Sequence, residues 1–136
     1  MLVFGPDWCA AWCAVLNTDP AYAEAASTWE GAVVLVAEGD GAARTGAWLD
    51  LHHGSCREAR PAAPADEVAA RFVLTATPAV WRQGLGGARA PLMGVMLGKI
   101  RLAKGGLTEL LPYVGAAKLM VEMAGRVPAA FPDDWP

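Results

Sequence analysis

Two periods of hydrophobic residues divide the chain into predicted helices and strands. Near the N-terminus, apolar side chains recur at helical spacing in Trp8, Trp12, Val15 and Leu16, after a helix start signal at residues 5–7. This spacing predicts a helix with one buried stripe. The other predicted helices are an alanine-rich surface helix over 21–27, a helix from 78 to 85, a helix that begins at Pro91, and a C-terminal helical segment within 107–124.

Alternation of apolar and polar residues predicts the strands. In the segment 46–52, Leu49 and Leu51 fall on one face, whereas Trp48 and Asp50 fall on the other. The predicted strands are 32–37, 46–52, a polar edge strand over 55–59, 68–76 and 99–103. Turn signals at 39–41 and 53–54 separate the first three strands, and the prolines of 60–66 predict a loop.

The expected fold depends most on the segment 92–124, which contains one predicted strand between predicted helices. Its strand alternates, so Ile100 and Leu102 point one way and Lys99 and Arg101 the other. We expect Ile100 and Leu102 to face the helices, and the strand to pair with one of the strands of the N-terminal meander. The segment carries more apolar helical surface than one strand can cover, so it needs a sheet to pack on. Strands with helices segregated to one face predict an α+β domain.

Length and composition place the chain among single globular domains. The 136 residues are 54% hydrophobic and 18% charged, and we interpret them as one domain over 1–136 with a loosely held tail over 127–136. A net charge of −3 without a basic run argues against nucleic-acid binding. We expect no transmembrane helix and no signal peptide, and the three cysteines lack the spacing of a disulfide framework. We therefore expect a soluble, cytoplasmic protein with at most transient membrane contact.

Cysteine and histidine side chains are the candidate reactive groups. Cys9 and Cys13 lie one helical turn apart, and His52, His53 and Cys56 could complete a metal site, but cysteines in a tryptophan-rich helix are more typical of buried thiols. The two histidines are adjacent in an alternating strand, which predicts that they point to opposite faces. We therefore predict no catalytic residue, metal or cofactor, and three reduced thiols.

The order of elements in the second half of the chain carries a resemblance to a known family. A short helix, an acidic turn, a second helix that ends in Gly-Lys and an alternating strand before a C-terminal helix together resemble the sterol carrier protein type 2 family of lipid-binding domains. The matching positions are Asp66, Trp81, Gly98, Lys99, Ile100 and Leu102, with the meander of 33–52 in the corresponding place. The chain departs from the family pattern at 103–106, where Ala-Lys-Gly-Gly replaces the usual Gly-Asp or Gly-Asn.

The resemblance implies a five-stranded, mostly antiparallel sheet with helices packed on one face and an apolar tunnel between the layers. Members of that family bind and move fatty acids, acyl-CoA or sterols without catalysis, so it implies an apolar lipid as the partner. The alanine and glycine content is typical of a bacterial chain, which makes a sterol the less favoured ligand. The ligand-binding residues are then predicted to be Trp8, Trp12, Leu16, Trp81, Leu85, Leu92, Met93, Met96, Leu97, Ile100, Leu102, Leu110, Leu111, Val114, Leu119, Met120 and Met123.

A second interpretation belongs to a different functional class. Methionine and leucine at helical spacing also form ordinary cores, and an apolar helix face can pack on a partner subunit. The chain would then be a protein-interaction or oligomerisation module, such as a homodimer, with its cavity filled by side chains. A co-purified acyl chain would distinguish the two interpretations.

Overall fold

The protein is built on one five-stranded sheet. The computed structural model describes residues 1–39, 42–85 and 100–135. In chain order its elements are α1 (Pro6–Leu16), α2 (Pro20–Ala25), β1 (Glu30–Gly39), β2 (Ala42–His52), β3 (Ser55–Pro61), α3 (Pro64–Ala69), β4 (Phe72–Ala76), α4 (Pro78–Leu85), β5 (Arg101–Lys104), α5 (Leu107–Leu110), a 3-10 turn (Leu111–Tyr113) and α6 (Val114–Ala124). The strand order is β3-β2-β1-β4-β5. Among the described strand pairs only β1–β4 is parallel, which confirms the predicted α+β class and the mostly antiparallel sheet.

Some predicted elements fall on residues that the structure does not describe. These are the centre of the 39–41 turn, Lys99, and the helix that begins at Pro91 with Leu92, Met93, Met96 and Leu97. None of the described helices is long and apolar enough to cross a bilayer.

Strand β1 lies in the middle of the sheet and is covered on both faces. Val33 and Leu35 face the main core with the tryptophans of α1, whereas Val34 and Val36 face a smaller cluster beneath α3. A strand that is buried on both sides needs a continuous apolar sequence, and residues 32–37 supply it. Helices α1, α4 and α6 pack on the main-core side, with α1 against β3 and α4 against β1.

Strand β4 begins later than predicted, because a helix takes the residues before it. Pro64 occupies the first turn of α3, and the Asp66 carboxylate accepts a hydrogen bond of 2.7 Å from the backbone N–H at 63. Arg60 pairs with Asp66 at 2.8 Å and lowers the pKa of that carboxyl to about 2. The predicted strand over 68–76 is therefore wrong before Phe72.

The prolines of the predicted 60–66 loop mark element ends. Pro61 closes β3, which is an edge strand, so its missing N–H breaks no ladder. Because α3 carries the chain across the sheet, β4 returns parallel to β1 and is not a fourth strand of a meander. Strand β5 pairs antiparallel with β4, Leu74 opposite Leu102, so the prediction that it pairs with a strand of the N-terminal meander is wrong.

The orientation of β5 follows the predicted alternation. Ile100 and Leu102 are half-buried against the main core, whereas Arg101 is exposed. A slip of one residue would exchange these faces, so the hydrophobic pattern fixes the register.

The C-terminal tail is packed, and the prediction that it is loosely held is wrong. Val127 and Trp135 are 4% exposed, and the Trp135 ring lies 5.9 Å from that of Phe4 in an edge-to-face pair. The Val3 N–H donates to the Ala130 carbonyl at 2.9 Å. Tryptophan and valine near the end of a chain bury enough apolar area to hold it in place.

The turn after β5 gives a stability prediction. Gly105 has a φ of +94°, and a β-carbon there would lie 2.4 Å from the Phe72 ring. We expect Gly105→Ala to lower the free energy of unfolding by about 1–3 kcal/mol, because it adds both strain and a clash. Gly115→Ala is the control: Gly115 is helical with nothing within 4 Å, so alanine there should add about 0.5–1 kcal/mol. Urea denaturation measures both, and equal effects would contradict the prediction.

Candidate functional site

An apolar cavity lies between strands β4 and β5 and the C-terminal helices. Its volume is about 210 Å³. Every described side chain that lines it is aliphatic or aromatic: Leu74, Trp81, Ile100, Leu102, Leu107, Leu110, Val114, Ala117, Met120 and Val121. Such a lining offers neither charge nor strong hydrogen bonds, so it suits an apolar guest.

Trp81 forms the wall of the cavity on the α4 side. Its indole N–H donates to the Val36 carbonyl on β1 at 2.8 Å, and the side chain is fully buried. The polar atom of the ring is thus satisfied by the sheet. What remains for the cavity is the apolar part of the indole.

A second tryptophan positions the opposite wall. The Trp12 indole N–H donates to the Met120 carbonyl in α6 at 2.9 Å, although the two residues lie 108 positions apart in the chain. This bond ties α6 to α1, while the side chain of Met120 lines the cavity. On the same helix, Val114, Ala117 and Val121 follow at spacings of three and four and share one face.

Leu107 marks where the cavity approaches solvent. Its side chain lines the cavity and is nevertheless 64% exposed. The neighbouring cation Arg101 points elsewhere, with its Nε 3.3 Å from the Thr75 hydroxyl and its Nη2 3.5 Å from the Glu38 carboxylate. The described rim at β5 and α5 therefore presents leucine to the opening.

The structure brings together six of the predicted ligand-binding residues. Those that line the cavity are Trp81, Ile100, Leu102, Leu110, Val114 and Met120. Others lie elsewhere: Trp8, Trp12, Leu16, Leu85 and Met123 are buried in the core outside the lining, Leu119 is half-buried, and Leu111 is 59% exposed. Leu92, Met93, Met96 and Leu97 lie outside the described residues.

Four lining residues were missed by the sequence prediction. These are Leu74, Leu107, Ala117 and Val121. Two of them could have been found from the sequence. The alternation of β4 places Leu74 on the core face, and Leu107 lies three residues before Leu110, at helical spacing. Alanine carries no such signal, because a small residue leaves space without contributing hydrophobic area of its own.

Fold and cavity together define a small α+β domain with an apolar site between a sheet and its helices. No protein-family model and no curated protein matches the chain. Solved structures do match. A crystal structure of sterol carrier protein 2 is 37% identical, with 93% of this chain and 99% of that chain covered and a TM-score of 0.78. The solution structure of a conserved hypothetical protein from Thermus thermophilus, described as a suspected sterol carrier protein, is 36% identical with a TM-score of 0.75, covering 93% and 90% of the two chains.

A more distant match agrees in fold alone. Sterol carrier protein 2 from Yarrowia lipolytica, in its apo form, is 19% identical with a TM-score of 0.53, and 90% of this chain and 89% of that chain are covered.

The identity of 37% over nearly the full length of both chains shows that the chain belongs to the sterol carrier protein 2 family. The resemblance found in the sequence is thus confirmed.

The three cysteines are buried away from the cavity lining. All lie within the described residues as free thiols, with exposures of 0% for Cys9, 9% for Cys13 and 3% for Cys56. The Cys13 thiol donates to the Cys56 carbonyl at 3.1 Å, and the Asn17 amide donates to the same oxygen at 2.8 Å. These bonds join the end of α1 to β3. Burial raises the pKa of the Cys9 thiol to about 12, which disfavours the nucleophilic thiolate.

The two histidines do not point to opposite faces, and that prediction is wrong. His53 leaves the strand with a φ of +47° in the turn between β2 and β3. The imidazole rings of His52 and His53 therefore lie 4.4 Å apart between centroids and nearly perpendicular. Both rings approach the carboxylate of Glu30.

The buried thiols give a prediction about reactivity and pH. At pH 8 we expect the folded protein to react slowly with a thiol-modifying disulfide reagent, and all three thiols to react fast after unfolding. Folding raises the pKa of Cys9 from 9.0 to about 12. The contribution of the protonated Cys9 thiol to the free energy of unfolding is therefore complete below pH 9 and is lost as the pH rises to 12. Absorbance kinetics with and without denaturant measure the reactivity; fast native labelling of Cys9 would contradict the assignment.

Proposed function

We propose that the chain binds an apolar lipid in the cavity between β4, β5 and α6 and transfers it without catalysis. The lipid is a fatty acid, an acyl-CoA or a sterol-like molecule, of which the apolar part enters the cavity. The observation that carries the proposal is the wholly apolar set of described lining residues, from Leu74 on the sheet to Val121 on the helix. The related structures are described as a sterol carrier protein and a suspected sterol carrier protein, and these descriptions support the same class of ligand.

The size of the cavity limits what it encloses. Its 210 Å³ is less than the roughly 300–1,000 Å³ of a typical ligand pocket, so the described residues would enclose only part of a long acyl chain. Each buried methylene contributes about 0.8 kcal/mol, so two added carbons should tighten binding about tenfold until the cavity is full. Beyond that length the affinity should change little.

A carrier role also fits the chemistry of the lining. Trp81 is the one described lining residue with a side-chain N–H group, and the sheet already accepts its hydrogen bond. General acid–base or nucleophilic catalysis needs a titratable or nucleophilic group within hydrogen-bond reach of the substrate. The described wall offers a hydrophobic surface, and binding is the activity that such a surface supports.

One observation favours the second function, a protein-interaction face. Leu107 and Leu111, at α5 and the 3-10 turn, are 64% and 59% exposed. Two exposed leucines this close in sequence form an apolar patch that a second copy of the chain could cover. In that case both leucines would contribute to association, whereas only Leu107 lines the cavity.

The two leucines therefore form a matched pair of test variants. We expect Leu107→Glu to weaken binding of a fluorescent fatty acid about tenfold, because it places a charge beside the entering chain. Leu111→Glu should bind like the wild type. Fluorescence titration across acyl chain lengths measures both affinity and the effect of length, and sedimentation of the same variants reports association.

Filling the cavity provides a second variant. Ala117→Leu places an isobutyl group in existing empty space, so it should leave the folded protein at least as stable and should abolish the gain in affinity with chain length. Thermal unfolding monitors stability in parallel. Unchanged, length-dependent binding by a folded Ala117→Leu protein would reject the cavity as the lipid site. A dimer that both glutamate variants disrupt would favour the interaction module.

A further inference from the structure

Three metal-ligating side chains meet at the start of β1, away from the cavity lining. Glu30, His52 and His53 each offer one ligand atom, and these atoms all lie within 4.8 Å of one another. His52 Nδ1 is 3.8 Å from one oxygen of the Glu30 carboxylate, and His53 Nε2 is 3.4 Å from the other. No other group of three such ligands occurs among the described residues.

The backbone holds the three residues together. Glu30 and His52 are directly opposite each other in the β1–β2 ladder. The His53 N–H donates to the Trp29 carbonyl at 2.8 Å, which fixes the turn against the chain that leads into β1. A β-carbon on the next residue, Gly54, would lie 2.5 Å from the Ala23 carbonyl oxygen, so the turn is also packed against α2.

Hydrogen bonding orients the ring of His53 for metal binding. Its Nδ1 is 3.0 Å from the Ser27 carbonyl oxygen. A carbonyl only accepts, so Nδ1 is the nitrogen that donates to it, and Nε2 is the nitrogen that faces Glu30. A histidine ligand whose other nitrogen donates to a backbone carbonyl is the usual arrangement around bound zinc.

His52 supplies an independent indication of a ligand. Its Nδ1 is buried and has no hydrogen-bond partner among the described residues. Buried polar atoms are nearly always paired, so an unpaired imidazole nitrogen aimed at a carboxylate calls for a proton or a cation between them. A bound cation satisfies His52, His53 and Glu30 at once.

We propose that His52 Nδ1, His53 Nε2 and a Glu30 carboxylate oxygen bind one divalent transition-metal ion of the zinc type. Two imidazoles and a carboxylate are a ligand set that zinc accepts at about 2.0–2.2 Å, which puts tetrahedral ligand atoms about 3.3 Å apart. The ligand atoms, which lie within 4.8 Å of one another without an ion, would move to this separation on binding. The side chains are 40%, 50% and 60% exposed for His52, His53 and Glu30, so water completes the coordination.

Nearby charges leave the site available to a cation. Arg57 is the adjacent positive group, and its guanidinium is engaged by Asp50 at 3.0 and 3.1 Å. Arg71 contacts the backbone carbonyl of Glu30 at 2.8 Å, and its Nε pairs with Glu109. The carboxylate of Glu30 therefore has only the two imidazoles as partners within ion-pair distance among the described residues. A bound ion would join the β2–β3 turn to the start of β1 and stabilise the folded state.

The test uses metal-free chain purified without a polyhistidine tag, because His52 and His53 are the only histidines in the sequence. Calorimetric titration with zinc chloride should give one site per chain with micromolar affinity. Cobalt should give a visible absorption band without the near-ultraviolet band of a thiolate ligand, since Cys9, Cys13 and Cys56 are buried. Nuclear magnetic resonance should show both imidazoles shifting together on zinc addition.

Two variants and a control complete the experiment. Glu30→Gln and His53→Gln should each weaken zinc binding at least about tenfold. Glu58→Gln is the matched control, because Glu58 is 59% exposed, much like Glu30, and lies outside the cluster. Circular dichroism checks that each variant is folded. A wild-type chain that binds zinc no more tightly than about 0.1 mM, or folded variants that bind like the wild type, would overturn the proposal. The site shares no residue with the cavity lining, so loss of zinc binding leaves the lipid titrations unaffected.

Discussion

The cavity depends on a hydrogen bond between the first and last helices. Trp12 is fully buried, and its indole N–H reaches the Met120 carbonyl at 2.9 Å. A buried donor without an acceptor costs about 1–3 kcal/mol, so the position of α6 is tied to α1 as well as to the sheet. Trp81 repeats the arrangement with the Val36 carbonyl of β1. Trp81 forms one wall of the cavity, and Trp12 lies outside the lining but positions the helix α6 that forms the opposite wall.

The same arrangement explains why the lining is apolar and partly open. Small residues on α6, above all Ala117, leave room where larger side chains would close the core. The C-terminal helical segment is interrupted at Pro112, where a 3-10 turn separates the four-residue α5 from α6. Helix α5 is too short to bury a full face, and Leu107 consequently belongs to both the cavity and the surface. A wall of this kind suits a site that takes up and releases an apolar chain.

Much of the fold could be predicted from the sequence, because hydrophobic periodicity reports burial directly. The Trp8–Trp12–Leu16 stripe, the two faces of β2 and the orientation of Ile100 and Leu102 follow from it. The predictions are wrong where local backbone conformation or a long-range contact, rather than hydrophobic periodicity, determines the structure. Pro64 begins a helix and delays β4, the left-handed φ of His53 ends the alternation, and long-range contacts to Phe4 hold the tail. Six of the predicted residues line the candidate cavity, whereas Ala117 could not be predicted because a small side chain gives no hydrophobic signal.

The most direct measurement is a crystal structure with a fatty acid that carries bromine near its terminal carbon. The anomalous signal of bromine locates the end of the acyl chain without assumptions about the rest of the ligand. We expect one peak in contact with Leu74, Ala117 and Val121, between the sheet and α6. A peak on the outer surface near Leu111, with side chains filling the cavity, would contradict it.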